Sequence, residues 1–270
     1  MIDLHIHTIY SDGTDTPLEI LQKAEALKLS QVAITDHNCV AGAIEGAELA
    51  KNFDFDYLIG CELSCDHNGK EVHLLGYFDK EQRDFSALDD FVRKSENEKH
   101  RQHREIIKKL NALGFDLSYE ELVAKFPNVA RNRVHIARLM IDKGYAGSVA
   151  EVFDKYVTKG KPCFVKKSSP SLGEGIAAIH GCNGLAVLAH FYQYKKQDII
   201  SFLQEKISEL DGIEAYHPSH SEEQTETLLK TAQDYGKLIT GGSDYHGTVK
   251  PHISLGCANV PNKYSVTINN

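Results

Sequence analysis

Two histidines stand in Asp3-Leu4-His5-Ile6-His7, and Asp12 lies on the stretch that follows. Alternate residues of a strand leave the same face, so both imidazoles point one way, with a carboxylate just beyond them. Such a set suits a metal ion. The competing reading is a polar strand end beside the Ser11-Asp12-Gly13 turn. The pattern then recurs. Asp36-His37-Asn38 follows Val32-Ala33-Ile34-Thr35, and Glu62 follows Tyr57-Leu58-Ile59-Gly60-Cys61. His73 lies in Val72-His73-Leu74-Leu75, His190 follows Leu185-Ala186-Val187-Leu188-Ala189, and Asp244 and His246 follow Leu238-Ile239-Thr240-Gly241-Gly242-Ser243. Any one of these could be an ordinary core or loop histidine. Together, six imidazoles and three carboxylates at the ends of apolar runs point to a site for Mn, Fe or Zn, with room for more than one ion.

Those ends must be held by alternating elements. Apolar runs predict strands over 2–5, 32–35, 56–62, 71–78, 184–189, 212–216 and 238–240, with a hairpin-like turn at Asp66-His67-Asn68-Gly69. Helices are expected over 17–29, 40–51, 172–180, 195–209 and 221–235; Thr16, Pro17 and Glu19 start the first as N-cap, N1 and N3. Residues 80–167 differ. They read as all-helical and rich in Lys, Arg and Glu, with one long helix over 85–113 ended by Gly114 and shorter ones over 118–124, 134–143 and 148–157. The expected fold is α/β: a distorted barrel from 1–79 and 168–270, with chemistry at the strand carboxyl ends, and a helical cap inserted at 80–167.

Composition narrows the classes. The chain has 270 residues, 41% hydrophobic and 25% charged, which is ordinary for a globular protein. A net charge of −8 argues against binding long duplex DNA, which needs many Lys and Arg contacts. A local basic pocket for one or two phosphates remains compatible with it. The six cysteines are scattered without zinc-site spacing and read as reduced thiols. No secretory leader and no membrane-length apolar run stands out, so the expected location is cytoplasmic.

The motifs Asp-Leu-His-Ile-His-Thr, Ser-Asp-Gly, Ile-Thr-Asp-His-Asn, Gly-Cys-Glu-Leu-Ser, Val-His-Leu-Leu-Gly-Tyr, Leu-Ala-His and Gly-Gly-Ser-Asp-Tyr-His-Gly resemble, in order, those of the PHP (polymerase and histidinol phosphatase) family. The resemblance implies a distorted seven-stranded (β/α) barrel with two or three Mn2+ ions, Fe or Zn being alternatives. By that pattern His5, His7, Glu62 and Asp244 hold one ion. Glu62, His73 and His190 hold a second, and Asp12, His37 and His246 a third. A metal-bound hydroxide would attack phosphorus. Asp36 is either a carboxylate orienting a bound imidazole or a structural residue. Where the family often has Ala-His-Pro, this chain has Ala189-His190-Phe191.

Within the insertion, Arg133-Val134-His135-Ile136-Ala137-Arg138 resembles a helix of one branch of that family. That branch contains small phosphoesterases acting on nucleotides. Its activities include removing the 3′-phosphate of nucleoside 3′,5′-bisphosphates and trimming short RNA from the 5′ end. Arg133, His135 and Arg138 are then expected to bind substrate phosphate, for which Arg is well suited. Arg131 shares a helical face with His135 and Arg138. Lys155, Lys159, Lys161, Lys166 and Lys167 read as a solvated run, and His67, His100, His103, His180 and His252 as exposed. In Tyr216-His217-Pro218-Ser219-His220-Ser221, His217 and His220 either contact substrate or protonate the leaving group; alternatively this is a turn in which Ser219 or Ser221 caps the next helix. Rival functions are a histidinol-phosphate phosphatase, a polymerase PHP domain, an unrelated metal amidohydrolase and a non-catalytic metal- or nucleotide-binding module. The expected partner is a small phosphorylated substrate, a nucleotide or short oligonucleotide, with no membrane involved.

Overall fold

The computed structural model describes residues 1–127, 132–166, 168–194 and 199–268. It forms two compact units, Met1–Val92 with Pro170–Asn270, and Arg93–Ser169. The first contains seven strands hydrogen-bonded in chain order: β1 (Ile2–Asp3), β2 (Gln31–Ile34), β3 (Asp56–His67), β4 (Lys70–Phe78), β5 (Leu185–Leu188), β6 (Gly212–Tyr216) and β7 (Leu238–Gly241). β4 runs antiparallel to both neighbours and the other pairs are parallel. The sheet nearly closes on itself. Leu4 N donates to Gly241 O at 3.1 Å, His7 N to Tyr245 O at 2.9 Å, and Asp244 N to His5 O at 2.9 Å. Gly242 permits this approach, because a Cβ there would lie 2.4 Å from His5 N. The protein is therefore a distorted seven-stranded α/β barrel.

Two strand expectations are corrected. The β1 ladder stops at Asp3, and residues 4–7 bond individually to the residues after β7 and to Thr35, whose N donates to Ile6 O at 2.8 Å. β3 continues past Glu62 to His67, so the hairpin is a tight two-residue turn at Asn68 and Gly69, with φ of 52° and 81°. Positive φ at both positions matches the twist of the paired strands, which is why Asn-Gly occupies them.

Helices connect the strands: α1 (Pro17–Ala26), α2 (Ala41–Ala50), α3 (Ser86–Ala112), α4 (Tyr119–Lys125), α5 (Arg133–Asp142), α6 (Val149–Val152), α7 (Leu172–Gly181), α8 (Ile199–Lys206) and α9 (Glu222–Asp234). The expected capping box of α1 is present, with Thr16 and Glu19 bonding reciprocally. Strand alternation sorts the barrel's apolar residues. Val32, Ile34, Ile59, Leu74 and Leu188 join Ile20, Leu21 and Ile179 of the helices in one buried cluster. Their neighbours Ala33, Leu58, Leu75 and Val187 form another with Leu4 and Tyr77. Phe85, Leu88 and Phe91 bury in the first of these, so the compact-unit boundary falls inside α3. The second unit has its own core of Ile106, Leu110, Leu122, Ile136, Met140 and Val152.

Two histidines expected at the surface are buried. His67 lies edge-on to Phe202 with centroids 4.8 Å apart, and His103 is 2% exposed. Arg131, Lys167 and the first residues of the helix expected at 195 lie outside the described residues. Among the described residues no helix is long and apolar enough to cross a membrane.

Candidate metal centre

Glu62 stands at the middle of the strand-end cluster, 1% exposed. Its Oε1 lies 2.8 Å from His73 Nδ1 and 2.7 Å from His190 Nε2. Its Oε2 faces three other imidazoles, at 3.0 Å from His37 Nδ1, 3.2 Å from His7 Nε2 and 3.3 Å from His5 Nε2. Asp244 closes the far side, its Oδ1 3.3 Å from His7 Nε2 and 3.7 Å from His5 Nε2. Asp12 approaches from the β1–α1 loop, 3.3 Å from His246 Nε2 and 3.9 Å from His37 Nε2. Four groups have ligand atoms mutually close enough for one ion: His7, Asp12, His37 and His246; His5, His7 and Asp244; His5, Glu62 and His190; and His37, Glu62 and His73. Among the described residues these groups contain all nine predicted ligands and no other side chain. They share members: His5, His7, His37 and Glu62 each belong to two groups, whereas the sets drawn from the sequence shared Glu62 alone.

The backbone is strained where these side chains emerge. Asn38, His190 and Asp244 have φ of 49°, 23° and 54°. Non-glycine residues rarely adopt that region, and such strain concentrates at functional sites.

A second layer of buried groups aims the imidazoles. Glu214 of β6 is fully buried; its Oε1 lies 2.9 Å from His5 Nδ1 and its Oε2 accepts from His190 N at 2.7 Å. This leaves His5 Nε2 free to face the cluster, and such carboxylate–imidazole pairs fix ring orientation in metal sites. Asp3 accepts from Ser243 N and Gly256 N at 2.9 and 2.7 Å, pinning the strand end that carries Asp244. Sequence reasoning missed both. Their signal was a carboxylate inside an otherwise apolar strand, as in Gly212-Ile213-Glu214-Ala215. Asp36, by contrast, bonds Thr8 N, Thr8 Oγ1 and Ser11 Oγ at 2.8, 2.7 and 2.6 Å. It holds the β1–α1 loop, which is the structural one of its two readings.

Burial opposes charge on Glu62, yet His5, His73 and His37 outweigh it and hold the carboxyl well below its usual range. Burial likewise opposes charge on His73, but Glu62 and Glu71 raise it to about 9. Burial dominates at His37 and pushes it down to about 4, so that ring stays neutral and able to ligate.

His217 reaches the centre, its Nε2 3.5 Å from Asp244 Oδ2. Ser219 N donates to His217 Nδ1 at 3.1 Å, so the neutral ring carries its proton on Nε2. His220 sits behind it, with ring centroids 5.3 Å apart and Nδ1 3.0 Å from Ala215 O. Ser221 meanwhile caps α9 with Gln224, as the turn reading of this segment expects. In the second unit, His135 Nδ1 contacts Asn132 in the capping box of α5. Arg133 lies over the Phe153 ring and Arg138 is exposed.

The residues fit divalent ions. His5 Nε2, His7 Nε2, His37 Nδ1 and Glu62 Oε2 are buried without a hydrogen-bond partner. Buried polar atoms are costly when left unsatisfied, so four converging on one point require a partner. Their 3.0–3.3 Å spacing resembles the roughly 3.0–3.4 Å between atoms that each lie about 2.1 Å from one ion.

A family model described as the PHP domain matches residues 3–160. A 3′,5′-nucleoside bisphosphate phosphatase of Chromobacterium violaceum is 31% identical over 261 residues, covering 91% of this chain and 87% of its own. A 5′-3′ exoribonuclease of Haemophilus influenzae is 28% identical, covering 90% of this chain and 89% of its own. A solved structure from Bifidobacterium adolescentis, described as a metal-dependent phosphoesterase, superposes with a TM-score of 0.68 at 30% identity, covering 95% of this chain and 91% of its own.

Proposed function

The chain belongs to the PHP domain family and is a metal-dependent phosphoesterase; we propose that it acts on nucleotides, removing the 3′-phosphate of nucleoside 3′,5′-bisphosphates or trimming short 5′-phosphorylated RNA. The observation that carries the reading is the convergence of nine side chains, among which His5, His7, His37 and Glu62 aim buried, unpartnered nitrogen or carboxylate atoms at one point.

Those nine would hold two or three divalent ions, with Glu62 between them. The mixed imidazole and carboxylate set suits Mn2+, and also Fe or Zn. When bound, such ions lower the pKa of water and neutralise charge on the phosphoryl oxygens. The chain's own groups do the rest. Glu214 fixes the His5 ring, and Asp3 and Asp36 hold the two loops that present Asp244 and His7. His217 Nε2 lies beside Asp244, where its N–H could hydrogen-bond a substrate oxygen, and His220 packs against it. Arg133, His135 and Arg138 would bind a second phosphate of the substrate, a positioning role that can supply several kcal/mol. The free cysteines suit a reducing compartment, and we place the protein in the cytoplasm.

The test is phosphate release from adenosine 3′,5′-bisphosphate with Mn2+, comparing wild type with Asp244→Ala, beside an assay on a short 5′-phosphorylated RNA and one on histidinol phosphate. Wild type is expected to turn over a nucleotide substrate and the variant to lose on the order of 100-fold or more. Preference for histidinol phosphate would overturn the nucleotide assignment.

A further inference from the structure

One cation beside the centre belongs to none of the groups above. Lys250 lies just past the short turn Gly247–Val249, and its Nζ donates to Asp244 Oδ2 at 2.6 Å. The two oxygens of Asp244 therefore face different ways. Oδ1 looks inward at His5, His7 and His246, at 3.7, 3.3 and 3.5 Å. Oδ2 looks toward Lys250 and toward His217 Nε2, at 3.5 Å. The Lys250 side chain is 36% exposed, whereas that of Asp244 is 11% exposed. Its ammonium thus stands on the solvent side of a ligand carboxylate, with His217 on the same oxygen.

An ammonium has three donors, and a single carboxylate oxygen uses one of them. The other two remain for oxygens arriving from solvent. A phosphoryl group entering beside Asp244 would present such oxygens. Resting on the phosphoesterase reading, we propose that Lys250 binds the phosphoryl group that is hydrolysed, anchored by Asp244 Oδ2. The cleaved phosphate would then be held on the barrel side by Lys250 and His217.

Lys250→Met and Lys250→Arg, loaded with Mn2+, are compared with wild type for metal content by elemental analysis, for inhibition by inorganic phosphate, and for kcat/KM. Losing one charge-assisted hydrogen bond is expected to weaken inorganic phosphate about tenfold or more in Lys250→Met at unchanged metal content. Lys250→Arg should recover most of the loss. Unchanged phosphate inhibition in Lys250→Met overturns the proposal. So does metal loss that tracks the fall in activity, because Lys250 would then serve only to orient Asp244. If metal-loaded wild type neither binds phosphate nor hydrolyses a phosphoester, the phosphoesterase reading itself fails, a result the variants alone could not produce.

Discussion

The centre of the barrel unit and the helix starts of the helical unit use polar side chains in opposite ways. At those helices the partners are near neighbours in sequence: Ser118 caps α4 through Glu121, Asn132 pairs with His135 at the start of α5, and Lys155 pairs with Glu151. In the barrel the bonds join residues 128 positions apart at His190 and Glu62, and 209 apart at His5 and Glu214. Short-range pairs shape a helix wherever it lies. Long-range ones bring separate strands to a single point, and at the barrel's carboxyl end they leave buried atoms aimed at it.

If the long-range bonds exist to hold ions, weakening one should affect metal before fold. Glu214→Gln replaces the carboxylate facing His5 Nδ1 with a neutral amide. Mn2+ affinity should fall about 10- to 100-fold with the circular dichroism unchanged. Unchanged affinity in a calorimetric titration would mean that His5 needs no such support.

The same contrast should appear as a pH dependence. In chelated protein, His73 is raised from 6.5 to about 9, so the stability it contributes is complete below pH 6.5 and lost as pH rises through about 9. Thermal melts of the chelated protein should show a decline over that window on the order of 2 kcal/mol. Mn2+ should remove the decline, since a bound ion takes the place of the proton. A decline that persists with metal would place its origin elsewhere.

The smallest effect belongs to a short-range pair. Ser118→Ala removes the cap of α4 and should cost about 1 kcal/mol in denaturant melts. Metal content and kcat should stay at wild-type values. A change in either would tie the helical unit's local bonds to the centre.

The nine side chains that converge at the centre were readable because most lie at the ends of apolar runs and all are of types suited to metals. The strands could be located from periodicity, though the ends of β1 and β3 could not, and the barrel follows from their alternation with helices. Glu214 was not readable as a functional residue, because its partner His5 lies at the other end of the chain and a lone acid in a strand carries no pairing information. Lys250 escaped for a different reason: its partner Asp244 is only six residues away, but a lone lysine on a loop carries no pairing information. The extension of β3 to His67 was hidden by polar residues, which a ladder tolerates when backbone pairing carries it. His135 was read only for phosphate, whereas one of its nitrogens also helps to start α5. Why four ligand groups share members could not be read from spacing, since it depends on how residues on different strands are rotated toward Glu62.

Asp244 N donates to His5 O, and this closing contact joins residues from nearly opposite ends of the chain. A nascent polypeptide therefore emerges with His5 and His7 first and must wait for the last βα unit before the centre exists. Translation that stops before Leu238 leaves a product without Asp244, without His246 and without the strand that closes the ring. Two of the four candidate ligand groups include one of those residues and are complete only once synthesis has passed β7.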